Sequence, residues 1–346
     1  MRWSLSFQRV TCADGDRSWR VGHGQVDEFL EFARGRVRPN TVRAYAHDLK
    51  VFFSVVAKEP AEVTSRDVLD LVAAQQRPRA GAENIVRISD GGAGLSASTI
   101  KRRLAAVSSF YGYLVARGDV AVNPVPRGLP TRKSRHRGDR GVVPLVRGVR
   151  RLPRILEPAE VRALMDALRT ERDRAIVQAM LLGGLRRCEV LGVRLEDVRL
   201  GEWRVFVADG KGGHQRLVPV SQTFFGTVAR YLDQERPADA GTDRLFVALK
   251  GPTRGAAFSA EGLDEMLANA RARAGLAHGT CHELRHTCFT RLREGGMPIE
   301  ALQVQAGHRS IASTRIYLHL GADWLAGEYR RAAEAIEAQA AIGAPR

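Results

Sequence analysis

Residues 203–220 run Trp203-Arg204-Val205-Phe206-Val207-Ala208, then Asp209-Gly210-Lys211-Gly212-Gly213, then, past His214, Gln215-Arg216-Leu217-Val218-Pro219-Val220. The flanks alternate well enough for two strands, and the Asp-Gly and Gly-Gly steps between them are a strong hairpin-turn signal. Helical sequence lies on both sides. Upstream, Glu157-Pro158 followed by Val161, Leu164, Met165 and Leu168 predicts a helix with proline in its first turn. A second helix holds Ala175 to Leu182 and runs into Gly183-Gly184-Leu185-Arg186. Downstream, helices are predicted over 222–233 and 260–274, through His282, through Leu302, through Tyr317, and from about Trp324 onward. A small antiparallel sheet set in helical chain makes residues 155–346 a mostly α, α+β domain.

The first half is helical by the same test. Val26, Phe29, Leu30 and Ala33 share one face; Val42, Tyr45, Leu49, Phe52, Phe53 and Val56 form a longer stripe, for which Asn40 is the expected N-cap. Thr64 and Asp67 resemble a helix start, and Ile100, Leu104, Val107, Tyr111 and Leu114 define a fourth helix ending at Gly118. The expected organisation is an N-terminal arm at 1–24 without clear period, a helical domain at 25–118 interrupted by a Gly/Ala/Ser-rich loop at 79–97, and a linker at 119–154. In that linker Pro124, Pro126, Pro130, Pro144 and Pro153 are expected to break any regular element.

Charge narrows the partner. The net charge is +16, and residues 127–154 alone carry ten Lys/Arg against one acid, Asp139, a local excess of +9. Such a balance favours a polyanion, and so concentrated a basic segment can lie along a phosphate backbone and release counterions. Candidate DNA contacts are Arg132, Lys133, Arg135 and Arg137 in the linker, with Lys101, Arg102 and Arg103 opposite the apolar stripe of the fourth helix. The alternative for both groups is a solvated charged surface. Cys12, Cys188, Cys281 and Cys288 form no C-x-x-C pair and no disulfide-like framework. With no membrane-spanning apolar run and no signal-peptide pattern, a soluble cytoplasmic protein is expected.

Arg186, Lys211, His282, Arg285, His308 and Tyr317 make up the parts needed to attack a phosphodiester without a metal. Guanidinium groups meet the two non-bridging oxygens in a fork and stay charged at any cellular pH. A tyrosine supplies a nucleophile, and lysine or histidine moves protons. The wording around these residues resembles the tyrosine recombinases of the phage integrase family. Gly184-Leu185-Arg186-Arg187-Cys188-Glu189-Val190-Leu191 looks like the family's first-arginine motif, and Lys211-Gly212-Gly213-His214-Gln215-Arg216-Leu217-Val218-Pro219 its lysine hairpin. His282-Glu283-Leu284-Arg285-His286-Thr287 matches its H-x-x-R-H motif. Gly307-His308 followed nine residues later by Tyr317 matches its last two catalytic positions.

The resemblance implies a helical, SAM-like core-binding domain joined to a mixed α/β catalytic domain. It implies Tyr317 as nucleophile, Arg186 and Arg285 on the phosphate, Lys211 as general acid, His282 as general acid/base and His308 as a phosphate hydrogen-bond donor. Glu189 and His286 support the site, and no cofactor or metal is needed. It further implies a tetramer on paired double-stranded DNA sites, strand exchange through a Holliday junction, and a final helix docked on a neighbouring protomer through Trp324, Leu325, Tyr329, Ala332, Ala333 and Ile336. Gly183 departs from the usual Thr or Ser, and Cys188 from the usual Ser or Gly. Neither the DNA site nor any accessory protein is named by these motifs.

Three rival readings use the same residues. His282-Glu283-Leu284-Arg285-His286 is literally H-E-x-x-H, a zinc metallohydrolase signature, although an arginine inside it sits badly beside a dication. A type IB topoisomerase uses similar chemistry, and a DNA-binding protein without catalysis would keep the basic charge. The complete residue set and the helical first half favour a recombinase.

Overall fold

The computed structural model describes residues 5–11, 17–77, 94–126, 128–130, 142–143, 145–146, 154–208, 215–308, 311–314 and 330. The chain divides into two compact units, Met1–Arg150 and Arg151–Arg346.

In the first unit, the strands β1 (Gln8–Thr11) and β2 (Arg17–Arg20) pair antiparallel and precede helices α1 (Gly24–Arg34), α2 (Pro39–Val56), α3 (Ser65–Gln76) and α4 (Ala97–Arg117). The predicted stripes become its core: Val26, Phe29 and Leu30 of α1 pack with Val42, Leu49, Phe52 and Phe53 of α2 and with Val107, Phe110 and Leu114 of α4. Thr64 and Asp67 form the capping box that starts α3. Asn40 is not the cap of α2. That position falls to Arg38, with Pro39 at the start of the helix, where a fixed φ and a missing N–H cost nothing.

Two further expectations are corrected here. The N-terminal arm holds a β-hairpin, with Phe7 stacked on Trp19 at 4.4 Å and both packed against the helical core. The proline-bearing linker holds a two-residue ladder, β3 (Leu129–Pro130) against β4 (Val142–Val143), and its Val146 is buried with Val72 and Ile100. Pro130 is tolerated because a two-stranded ladder consists only of edges.

In the second unit, α5 (Pro158–Asp166), α6 (Glu171–Leu181) and α7 (Arg187–Gly192) lead into the strands β5 (Val198–Arg199), β6 (Arg204–Val207) and β7 (Arg216–Pro219). These form one antiparallel sheet in the order β5-β6-β7, with Val205 opposite Val218. Helices α8 (Gln222–Gln234), α9 (Ala260–Arg273), α10 (Cys281–Glu294), α11 (Ile299–Ala306) and the short α12 (Ile311–Thr314) follow. The core joins Ile176 and Met180 of α6, Val205 and Val218 of the sheet, Phe224 and Val228 of α8, and Leu284 of α10. Trp203, expected to open the first strand, instead sits in the left-handed region at φ 51° just before it. Among the described residues no helix is long and apolar enough to cross a membrane.

Candidate active site

Arg186 is placed by a tight corner. After α6 the chain turns through Gly184 at φ +66°, with the Gly184 and Leu185 amides donating back to the Met180 and Ala179 carbonyls at 3.1 and 3.2 Å. A Cβ on Gly184 would fall 2.5 Å from Phe289, and one on Gly183 would fall 2.7 Å from Leu185 and 2.9 Å from Val220. The glycine at 183 therefore follows from close packing of the corner. Leu185 is buried beyond it, and Arg186 emerges as the N-cap of α7.

Glu189, one turn into α7 and without side-chain exposure, gathers the arginines. Its Oε1 accepts from Arg186 Nη1 at 2.7 Å and Arg216 Nη1 at 3.0 Å; its Oε2 accepts from the Arg186 amide at 2.9 Å and Arg216 Nη2 at 2.9 Å. Arg285 Nη1 lies 3.9 Å from the same carboxylate. Burial pushes this carboxyl up, but the Arg216 fork together with the Arg186 amide and charge outweighs it and holds the group down to about 2.

A second element collects the same three guanidiniums. The last carbonyls of a helix have no partner within it and form the negative end of its dipole. At the end of α11, the Gln305 carbonyl accepts from Arg216 Nε at 3.3 Å, the Ala306 carbonyl from Arg285 Nη2 at 2.6 Å, and the Gly307 carbonyl from Arg186 Nη2 at 3.5 Å. Arg285 also donates to the Gly184 carbonyl and lies over the Phe289 ring. Gly307 ends α11 in the left-handed region at φ 59°, and its α-carbon faces the Arg216 guanidinium so closely that a Cβ would sit 3.0 Å from it. His308 follows directly, its Nδ1 sharing a 2.9 Å hydrogen bond with Thr314 Oγ1.

On α10, His282 and His286 stand one turn apart and share a 2.9 Å hydrogen bond between their Nε2 atoms. Burial lowers His282, with the Arg285 charge adding to it; burial and the neighbouring His282 and Arg285 lower His286 to about 4. Burial, then Arg285, Arg186 and Arg216, lower His308 to about 4. All three imidazoles are therefore neutral at pH 7. Glu283, the acid that the zinc reading requires, turns away from them. Its carboxylate caps α10, accepting from the Gly279 and Thr280 amides at 2.9 and 2.8 Å and from Thr280 Oγ1 at 3.0 Å.

Arg186, Glu189, His282, Arg285, His286 and His308 are thus brought together. Lys211, Tyr317, Cys12, the linker residues Arg132, Lys133, Arg135 and Arg137, most of the 79–97 loop and the apolar residues of the last helix lie outside the described residues. On α4, Lys101 is exposed, whereas Arg102 donates to Asp48 and Arg103 lies 3.8 Å from it, with only 12% of its side chain exposed. The sequence reading missed Arg216. It also missed Gln305, whose amide donates to the Gly183 and Pro219 carbonyls, both at 3.1 Å, and ties the corner before Arg186 to β7. The signal was present: Arg216 shares a strand face with buried Val218, while Leu217 points outward with 39% exposure. An arginine on the buried face of a strand requires a partner.

Comparison with known proteins gives concordant matches. Residues 154–323 match the model of the Phage integrase family, and residues 26–118 match that of the Phage integrase, N-terminal SAM-like domain. The chain is 31% identical to tyrosine recombinase XerC of Pelobacter propionicus over 301 residues, 85% of this chain and 89% of that protein. It is 32% identical to tyrosine recombinase XerC of Xylella fastidiosa over 316 residues, 88% of this chain and 95% of that one. Its fold is similar to that of the Tn1549 transposon integrase in complex with transposon right end DNA, with a TM-score of 0.63 at 17% identity over 89% of this chain and 99% of the other.

Proposed function

The chain belongs to the phage integrase family and is a tyrosine-type site-specific recombinase; we propose that it cleaves and rejoins duplex DNA through a 3′-phosphotyrosyl intermediate and a Holliday junction. The reading rests above all on Arg186 and Arg285, distant in sequence, meeting at Glu189 and the end of α11 beside His308.

In this mechanism the Tyr317 hydroxyl attacks phosphorus. A bond forms from the tyrosine oxygen to phosphorus, the bond to the 5′ oxygen breaks, and Lys211 gives that oxygen its proton. Arg186 and Arg285 hold the two non-bridging oxygens as charge grows on them, and His308 donates a hydrogen bond to the same group. His282, kept neutral by burial and steadied by His286, takes the tyrosine proton. The 5′ hydroxyl of a partner strand reverses these steps. Because the phosphotyrosyl bond conserves the energy of the bond broken, religation needs no external energy source.

Residues 25–118 serve as the core-binding domain, 119–154 as a basic strap along the DNA backbone through Arg132, Lys133, Arg135 and Arg137, and 155–346 as the catalytic domain. Four copies act on paired sites in the cytoplasm, each lodging the apolar face of its C-terminal segment, Trp324 to Ile336, on a neighbour. An apolar cavity of about 620 Å³ lined by Val161, Met165, Leu181, Leu292 and Met297 suits that face.

A nicked suicide duplex tests the reading. Wild type trapped as a covalent protein–DNA adduct in the presence of a chelator, with none from Tyr317→Phe, supports the tyrosine mechanism. No adduct despite tight, site-selective binding would overturn it in favour of a binding protein.

A further inference from the structure

The β1–β2 hairpin precedes the residues that match the SAM-like domain, which begin at 26. Its described residues include Arg9, Arg17 and Arg20 and no acid; Asp14 and Asp16 fall between the strands, outside the described residues. Trp19 is its anchor. Phe7 stacks on the Trp19 ring, and two exposed guanidiniums lie against it, Arg9 at 5.9 Å and Arg43 of α2 at 5.4 Å from the ring centroid. Among the described residues, no carboxylate pairs with Arg9, Arg20 or Arg43. This contrasts with Arg34, Arg117 and Arg154, which pair with Glu31, Glu28 and Glu160.

The hairpin also continues into an existing basic stripe. Arg43, His47 and Lys50 stand at helical spacing along α2. Phe7 meets the His47 ring edge-on at 6.3 Å, His47 lies 3.7 Å from Asp48, and Asp48 accepts from Arg102 on α4, next to exposed Lys101. Arg9, Arg43, His47 and Arg102 are thus linked across three elements by contacts through Trp19, Phe7 and the buried Asp48.

We propose that the N-terminal hairpin is an accessory DNA-contact module, in which Arg9 and Arg43, held against Trp19, bind backbone phosphates and extend the core-binding face beyond its helices. This rests on the recombinase reading above. An arginine resting on an indole loses less freedom when it meets a phosphate, and its planar fork suits phosphate oxygens. The contact carries no base readout, so it positions the protein on the duplex rather than choosing the sequence.

The test compares full-length wild type with Arg9→Gln/Arg43→Gln, using fluorescence anisotropy on a duplex bearing the recombination site and on a scrambled duplex across a salt series. Removing two phosphate contacts should reduce the slope of log affinity against log salt by about 1.8, at about 0.9 per contact. Both duplexes should weaken by the same factor, and Arg9→Lys/Arg43→Lys should restore most of the slope. Circular dichroism matching wild type excludes loss of fold as the cause. An unchanged slope in the folded Gln variant overturns the module while leaving the recombinase reading intact. A wild type that binds neither duplex and forms no adduct overturns the recombinase reading, and this inference with it.

Discussion

Replacing Glu189 by Gln keeps the shape of the side chain and removes its charge. All four contacts to this carboxylate come from donors: two from Arg186 and two from Arg216. A carboxamide offers an acceptor at one position and an NH2 at the other. Either orientation therefore sets a donor against two donors while three guanidiniums lose their shared counter-charge. The size of the effect follows from the carboxyl's titration. Held at about 2 against an ordinary value of 4.5, the group contributes about 3 kcal/mol to stability at about 1.4 kcal/mol per unit. Breaking a buried ion pair by removing one partner costs about 3–5 kcal/mol, which agrees.

The pH dependence separates this account from a packing defect. A carboxyl lowered in the folded state stabilises fully above its unfolded value and loses that contribution as pH falls toward its folded value. The gap between wild type and Glu189→Gln should be about 3 kcal/mol at pH 7 and less than half of that at pH 3. Urea unfolding read by Trp203 fluorescence, with Trp3, Trp19 and Trp324 changed to Phe in both proteins, measures it in the catalytic unit. A gap of equal size at pH 7 and pH 3, or one under about 1 kcal/mol at pH 7, would refute the charge argument.

Arg216→Lys should keep the charge but lose the fork that spans both Glu189 oxygens and the Gln305 carbonyl; adduct formation at saturating DNA should slow by about 10- to 100-fold, the scale of a small misplacement of Arg186. His286, neutral when folded with its value lowered to about 4, gains a proton on unfolding below its ordinary 6.5. Wild-type stability should consequently fall by about 2–3 kcal/mol between pH 6.5 and 4 through this group, a loss that His286→Asn removes and denaturant titration at both pH values detects. Gly307→Ala places a Cβ in the left-handed region 3.0 Å from the Arg216 guanidinium, so it should cost about 1 kcal/mol or more in the same unfolding assay and slow cleavage.

Much of this molecule was legible in its residues, for reasons that differ between the parts. Apolar stripes at 3.6-residue spacing located α1, α2 and α4 because each of those helices buries one face. Capping pairs such as Thr64 with Asp67 fixed a boundary because they act locally. The N-terminal hairpin carries no such stripe. Its order comes from Trp19 and Phe7 packing against α2, which local pattern does not encode. Arg102 and Arg103 read as a free basic face because Asp48, buried under them on α2, reaches them only once the two helices pack. Arg186 and Arg285 were legible from their motifs as residues that belong to one site, and the structure brings them together. The device that holds them was not, since Glu189, Arg216 and the end of α11 meet only in three dimensions.

That device sets the charge that the site offers to the phosphate proposed above. Three guanidiniums within reach of one another carry three positive charges, against which Glu189 sets one negative charge. The end of α11 adds about half a charge from its exposed carbonyls. The remaining excess of roughly one and a half positive charges is close to what a phosphodiester brings, and it grows more favourable as charge builds on the attacked phosphate. Glu189 alone cannot satisfy the arginines' many donors, so backbone carbonyls take part of the load. Because these carbonyls are fixed by a helix end, they order the guanidiniums without neutralising them as a second carboxylate would. A second acid here would cancel the positive charge left to hold the proposed phosphate. The same glycine that terminates α11 also starts the segment carrying His308. One local structure, the C-terminal turn of a helix, thereby sets the positions of three arginines and a histidine at once.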